Sequence, residues 1–365
     1  MKLIHCADIH LDSGLSTNFD KETARERKAE LLRTFIRMTE YASDCGAEAV
    51  LIAGDLFDRD AVSATARNGV IGAIEANPAI TYYYLKGNHD RKDIFGSLSD
   101  VPANLKTFSE TWIKYDLSER VKLYGLEFDA RNASSAADTL VTDPSDINIV
   151  MLHGQESPSA ADKTEVINLK SFRNRNIDYM ALGHVHFHKE AELDARGRYC
   201  YPGCLEGRGF DESGEHGFVV LDIDETSGKT ETQFVSIAAR RFINVEVDIT
   251  GLTITNQIIK AISEKIAECD AAPEDCVRVV LTGNTDIEAE KNEAVISKSF
   301  EDRYCLFRLY DRSSFSVDYE SYSADRSLKG EFIRLVKNDP TVPEEKKAEA
   351  IRYGIKALLG EEIDV

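Results

Sequence analysis

Five short stretches of this sequence place carboxylate, amide or imidazole groups directly after an apolar run. They are "ADIH" (Asp8, His10), "GDLFD" (Asp55, Asp58), "GNHD" (Asn88, His89, Asp90), "LHG" (His153) and "GHVH" (His184, His186). The chain has eight histidines. Five of them stand at these places, and His5, His188 and His216 are the remainder. Each stretch alone has an ordinary explanation. An aspartate after a strand is usually a turn or helix cap, "GNHD" could be a loop whose asparagine tolerates a left-handed backbone, and one histidine could sit satisfied near a core. Turn chemistry does not explain five such stretches together. Two aspartates, one asparagine oxygen and four imidazoles, with no thiolate, make too many ligands for one ion. They suit two, with one aspartate shared. Such donors favour Mn²⁺, Fe or Zn²⁺ over Ca²⁺. Paired metals clamp a phosphate and activate water for in-line displacement, so the expected chemistry is phosphoester hydrolysis.

The elements that must hold these groups follow from periodicity. Lys2–Ala7, "AEAVLIAG", "ITYYYLKG", "VKLYGLEF", "INIVMLHG" and "IDYMALGH" read as buried strands. Between them Thr23–Cys45 reads as a long amphipathic helix on Leu31, Leu32, Phe35, Ile36 and Met38, stopped by Gly46, and Ala61–Ala76 as a second helix. A short helix is expected around Asn168–Arg175. From His186 to Ala238 the pattern changes to hairpins. Strand–helix alternation followed by antiparallel strands predicts an α/β fold, a sandwich of two sheets with helices outside. The carboxyl ends of its strands are where ligands bind in such folds. Within this frame His5 is expected in the core, His188 near the ligands or facing solvent, and Asp90 as a residue that fixes its loop.

A second unit is expected from Arg240. "RFINVEVDI", "CVRVVLTG" and "YCLFRLYD" read as strands, and Ile254–Cys269 and Ile287–Phe300 as helices, giving a small α+β domain of about 85 residues. The tail from Ser327 carries two apolar stripes at helical spacing, Phe332, Leu335 and Val336, then Ile351, Ile355, Leu358 and Leu359, split by "NDPTVP". The expected boundaries are 1–239, 240–325 and 326–365.

Bulk properties narrow the function. The 365 residues are 42% apolar and 30% charged, as in a globular protein. No apolar run approaches the ~20 residues of a membrane span, and "MKLIHCADIH" reads as a strand rather than a signal peptide. Seven cysteines without a CxxC pair argue against a disulfide framework, and the closest pair, Cys200 and Cys204, lacks matching zinc partners. The expected location is the cytoplasm. A net charge of −20 opposes autonomous binding of nucleic acid over a broad basic surface. Bound metals or a basic partner could offset it locally.

The order D-x-H, GDxxD, GNHD, H, GHxH resembles the calcineurin-like metallophosphoesterases. "HCADIHLDS", "IAGDLFDRD", "LKGNHD" and "ALGHVH" followed by "YPGCLEGRGFDE" are similar to the SbcD-type DNA repair nucleases, and "ADIHLDS" to their YhaO-like branch. The motifs cover roughly residues 3 to 212; beyond them only the order of elements agrees, a small capping domain and then terminal helices. The resemblance implies a calcineurin-like β-sandwich flanked by helices. It implies that Asp8, His10 and His186 hold one ion, Asn88, His153 and His184 the other, and that Asp55 bridges, with Mn²⁺ the first choice of metal. His89 would act on the transition state or the leaving oxygen, with Asp58 as its partner. Eukaryotic and archaeal nucleases of this group carry histidine where this chain has Asp58. The implied function is a DNA exonuclease or endonuclease subunit working with an SbcC-like coiled-coil ATPase. Dimerisation through catalytic-domain helices is common in the family, and no membrane is involved. The alternative is a metallophosphoesterase for nucleotides, cyclic nucleotides or another small phosphoester.

Overall fold

The computed structural model describes residues 1–365 except 16–18, 59–61, 91–94, 96–100, 129–131, 158–165, 288, 318, 321 and 360–365, and the side chains of 157, 356 and 359 also lie outside the described residues. It divides into two compact units, Met1–Arg241 and Phe242–Val365.

The first unit is built on two six-stranded sheets. One holds β1 (Lys2–Cys6), β2 (Ala49–Ala53), β3 (Thr81–Leu85) and β4 (Leu105–Thr107), with β13 (Gly217–Asp224) and β14 (Lys229–Ser236) on the β1 side. The other holds β5 (Ile113–Asp116), β6 (Val121–Gly125), β7 (Ile147–His153), β10 (Tyr179–Gly183), β11 (Lys189–Glu192) and β12 (Arg198–Tyr201), in the order β11-β12-β10-β7-β6-β5. The short pair β8 (Gln155–Ser157) and β9 (Val166–Asn168) lies apart from both. β1 to β4 run parallel, as do β6, β7, β10 and β12, while β13, β14, β11 and β5 are antiparallel additions.

Period-two side chains decide which faces meet. Leu3, Ala7, Leu51, Ala53, Tyr83 and Leu85 of one sheet pack with Ile147, Ile149, Met151, Tyr179 and Ala181 of the other. Their alternates are buried too: Val150, Leu152, Met180 and Leu182 form a second cluster with Phe172 and Leu140, and Ile4, Val50 and Ile52 are fully buried. Strands buried on both faces need covering layers. On the chain between β1 and β3 these are α1 (Lys21–Asp44) and α2 (Ala64–Glu75), which pack on each other. Helix α1 begins two residues before the expected start because Asp20 caps it, accepting from the amides of Glu22 and Thr23. The segment expected as a helix around Asn168–Arg175 closes a single turn, α4 (Leu169–Phe172), after the equally short α3 (Ala136–Thr139).

The second unit carries β15 (Phe242–Asp248), α5 (Thr255–Ala267), β16 (Cys276–Thr282), β17 (Asn284–Asp286), α6 (Glu293–Lys298), β18 (Leu306–Asp311), β19 (Ser314–Ser316), α7 (Leu328–Asn338) and α8 (Glu344–Leu359). β15, β16 and β18 form a parallel sheet whose Val245, Val247, Val277, Val279 and Leu281 pack on Ile258, Ile262 and Ile266 of α5. The helix expected over Ile287–Phe300 is shorter. Asn292 accepts from the Val295 amide and starts it there, after β17 has paired with β19. In the tail, Ile333, Ile351 and Ile355 join Ile287 in one buried cluster edged by Phe315, Val317 and Val336. The inward face of α7 therefore centres on Ile333. Leu335, expected in the stripe, is 65% exposed, because Phe332 and Val336 rather than Leu335 lie toward the neighbouring chain. Leu359, also expected there, lies outside the described side chains.

Candidate metal centre

Parallel strand order brings the carboxyl ends of β1, β2 and β3 to one edge of the first sheet, and those of β7 and β10 to the matching edge of the second. The chain does not turn there in the ordinary way. Asp8, His10 and Asp55 have φ near +50° and His184 a φ of 101°, a region residues with a Cβ seldom adopt. Such backbone persists where surrounding contacts impose it. Those contacts are specific: the Asp8 amide donates to the Gly54 carbonyl (3.0 Å) and the His10 amide to the Asp55 carbonyl (2.9 Å). Both Asp8 carboxylate oxygens accept from the His184 amide (3.0 and 2.9 Å), which ties one sheet to the other. Gly54, at φ +93°, allows a close approach, since a Cβ there would meet His153 Nδ1 at 2.1 Å.

These backbones aim seven side chains inward. His10 Nε2 and His186 Nε2 lie 3.2 Å apart, and ligand atoms of Asp8, His10 and His186 all fall within 4.8 Å of one another. The same holds for Asp8, Asp55 and His153. Asp55 Oδ2 is 3.7 Å from His10 Nε2 and 3.4 Å from His153 Nε2, so it faces both groups. Asn88 Oδ1 stands 3.0 Å from His153 Nε2 and 3.2 Å from His184 Nδ1. His153 Nδ1 donates to the Ala53 carbonyl (2.9 Å), which leaves Nε2 as the inward donor atom.

The electrostatics are those of buried anions. Asp8 is fully buried, and burial, reinforced by Asp55, pushes its carboxyl up to about 6. Burial acts the same way on Asp55, but His153, His10 and the His89 amide outweigh it and hold Asp55 well below the usual carboxylate range. His153 loses to burial and gains more from Asp55 and Asp8, rising to about 9. Burial takes His10 down to about 4. Clustered carboxylates, imidazoles and one amide oxygen, all at the ends of rigid strands, are a donor set for divalent cations. The residues present fit a pair of them.

Residues 1–188 match the family model of the calcineurin-like phosphoesterases. The chain belongs to that family. Among curated relatives, the DNA double-strand break repair protein Mre11 of Methanopyrus kandleri is 23% identical over 322 residues, covering 78% of this chain and 69% of that one. The proteins of the same name from Haloferax volcanii (24% over 322 residues, 87% and 69% covered) and Aeropyrum pernix (26% over 315 residues, 77% and 72%) are similar at the same level. As a calcineurin-like phosphoesterase, the chain is a metal-dependent hydrolase of phosphoesters.

The remaining residues singled out from sequence divide by what they touch. His89 is 43% exposed, edge-on to His10 with ring centroids 4.9 Å apart. Its Nδ1 donates to the Asp58 carbonyl (3.2 Å) and lies 3.9 Å from the Asp58 carboxylate. The Asp58 carboxylate is nearer to His10 Nδ1 and to Arg208, both at 3.2 Å. Asp90 accepts from the amides of Leu56 and Phe57 at 2.9 Å each, so it fixes the loop after β2 as well as its own. His5 is buried in the core against the Tyr179 hydroxyl (2.9 Å), and His188 is exposed and stacked on Phe234. Two residues without an assigned role in the sequence reading join the centre: Glu212, 2.7 Å from His186 Nδ1, and Arg208, 2.7 Å from Glu212. Their signal was an arginine and a glutamate four apart in a glycine-rich stretch, "EGRGFDE", where no helix explains the spacing.

Among the described residues no helix is long and apolar enough to cross a membrane.

Proposed function

We propose that this phosphoesterase is a dinuclear phosphodiesterase acting on DNA in repair or end processing, together with an SbcC-like coiled-coil ATPase in the cytoplasm. The observation carrying the reading is the convergence of Asp8, His10, Asp55, Asn88, His153, His184 and His186 from two sheets onto one edge. The names of the relatives supply the substrate class. Asp8, His10 and His186 would hold one ion, Asn88, His153 and His184 the second, and Asp55 both, with Mn²⁺ the favoured metal. When bound, such a pair neutralises phosphate charge and supplies an activated water.

The chain's own residues do the rest. Carboxylates and imidazoles held by strained backbone keep the donors in place before any substrate arrives. His89, its Nδ1 engaged by the Asp58 carbonyl and its side chain 43% exposed, stands beside the centre where a phosphoester oxygen can reach it. A positioned group of this kind orients the scissile phosphate and carries a proton for the leaving oxygen.

Residues 240–325 would act as a capping domain and 326–365 as the partner-binding segment. In the tail, Leu328, Leu335 and Leu358 are 68%, 65% and 46% exposed, which supports a helical partner surface. Leu335→Glu with Leu358→Glu is expected to abolish co-purification with the ATPase while sparing hydrolysis of a chromogenic phosphodiester.

The deciding experiment incubates the protein with single-stranded, blunt and hairpin DNA in Mn²⁺, with and without the ATPase, after chelation has removed other metals. Cleavage that EDTA abolishes and Mn²⁺ restores supports the reading. The net charge of −20 favours a small phosphoester instead. Rapid turnover of nucleotides or cyclic nucleotides, with no DNA cleavage in either arm, would replace the DNA assignment with that one.

A further inference from the structure

The two imidazoles of the first half-site are backed by carboxylates, and one guanidinium joins those carboxylates. Behind His186, Glu212 Oε1 lies 2.7 Å from Nδ1. An Nδ1 proton donated there leaves the Nε2 lone pair facing His10 Nε2. Asp58 Oδ1 lies 3.2 Å from His10 Nδ1, an ion-pair contact without hydrogen-bond geometry. Arg208 spans the two acids: its Nη2 donates to Glu212 Oε1 (2.7 Å), its backbone amide to Glu212 Oε2 (2.7 Å), and Nη1 reaches Asp58 Oδ1 (3.2 Å). Nη2 is also 3.2 Å from His186 Nδ1, and since a guanidinium cannot accept, both groups turn their protons to the shared Glu212 oxygen. His186 and Arg208 hold Glu212 well below the usual carboxylate range against the opposing effect of burial. The loop carrying Arg208 is itself fixed, because buried Glu206 accepts from Thr34 Oγ1 and the Ala239 amide (2.6 Å each) and Arg27 donates to the Gly207 carbonyl (2.7 Å).

In the other half-site, His153 is backed by the neutral Ala53 carbonyl. A carboxylate behind an imidazole fixes the ring's orientation more firmly than a neutral carbonyl does. From the dinuclear reading above, we propose that the chain Asp58–Arg208–Glu212 holds His10 and His186 as Nε2 donors, His186 most firmly, so that their half-site takes the tighter-bound of the two ions. Arg208 and Glu212 are then positioning residues.

The test is Mn²⁺ titration of the chelator-stripped full-length protein by calorimetry, with electron paramagnetic resonance to follow the ions. Wild-type protein is expected to show two affinity classes. Glu212→Gln keeps the size of the side chain and should weaken the tighter class by roughly 10–100-fold, leaving the weaker class in place. Arg208→Met should act in the same direction, and Arg208→Lys should restore part of the loss. Asn88→Ala should weaken the other class alone. If Glu212→Gln leaves both classes unchanged, or loosens both equally, the proposal is overturned. Should Glu212→Gln fail to fold, the Arg208→Met and Arg208→Lys pair decides by the same criterion. Wild-type protein that takes up no more than one ion overturns the dinuclear reading itself, an outcome visible before any variant is made.

Discussion

Strands in both units run out into aspartate, at or just past their last residue, yet the two sets of aspartates do different things. In the first unit Asp8 and Asp55 are buried and face imidazoles from both sheets. In the second unit Asp248, ending β15, is exposed and accepts from the amide and hydroxyl of Thr250. Asp311, ending β18, accepts from the amide and hydroxyl of Ser313 and pairs with Lys291. The parallel extends to glycine. Gly54 and Gly283 both follow strands at φ near +90°, but a Cβ on the first would strike His153 and on the second Asp248 Oδ1. A carboxylate that finds a local hydroxyl or lysine is spent on a turn. One that is buried among imidazoles stands in a donor set that a cation can complete.

The largest effect that would sharpen this contrast is on turnover. Asp55→Ala should leave no detectable phosphodiester hydrolysis, whereas Asp248→Ala should keep full turnover and change stability by no more than about 1 kcal/mol. Equal losses of activity in the two variants would break the comparison. Next comes His89→Ala, expected to retain metal by elemental analysis while turnover drops roughly 10²–10⁴-fold. An emptied ion site in that variant would make His89 a ligand.

The glycines give a third, smaller contrast. Gly54→Ala should reduce metal uptake, because its methyl group displaces His153. Gly283→Ala should cost about 1–3 kcal/mol in urea unfolding while the metal content of the protein stays that of wild type. A normal metal content in Gly54→Ala would show that His153 can move without consequence.

The smallest effect concerns His5, a histidine inside a strand rather than at its end. Burial lowers it to about 3, against 6.5 for a free imidazole. The folded state therefore keeps it neutral while the unfolded chain takes up a proton below about 6.5. Its contribution to stability is complete above that pH and falls, by at most about 1.4 kcal/mol per pH unit, as pH drops towards 3. Unfolding curves from pH 7.5 to 4.5 should be flatter for His5→Gln than for wild type. Identical slopes would mean that His5 does not titrate between the two states.

The long parallel strands and the two long helices of the first unit were legible because runs such as "AVLIA" and "INIVMLH" are buried on both faces and stay apolar throughout, whereas the short β4, β5, β8 and β9 carry too few apolar residues to stand out. The candidate ligands were legible because imidazoles are scarce and cluster after those runs. Arg208 and Glu212 were not assigned, since two opposite charges in a loop look the same whether they face water or clamp a histidine. The inward residue of α7 was misjudged for a related reason. Ile333 and Leu335 are equally apolar, and only the neighbours of α7 decide which is covered. The shortened helix at α6 reflects a local competition, in which the Asn292 side chain captured an amide that a longer helix would have used.

The hydrogen bonds from the His184 amide to Asp8 have a consequence for how the protein is made. They join groups 176 residues apart in sequence and on different sheets, so the donor set exists only after both sheets have formed and met. Loop closure over such distances is slow, and a chain still on the ribosome or in a half-folded intermediate offers an ion no complete cage. Cations bound by the native state alone raise its stability with their concentration, and they act across the seam between the two sheets. Metal supply would then set how much of the protein stays folded as well as whether it can cut.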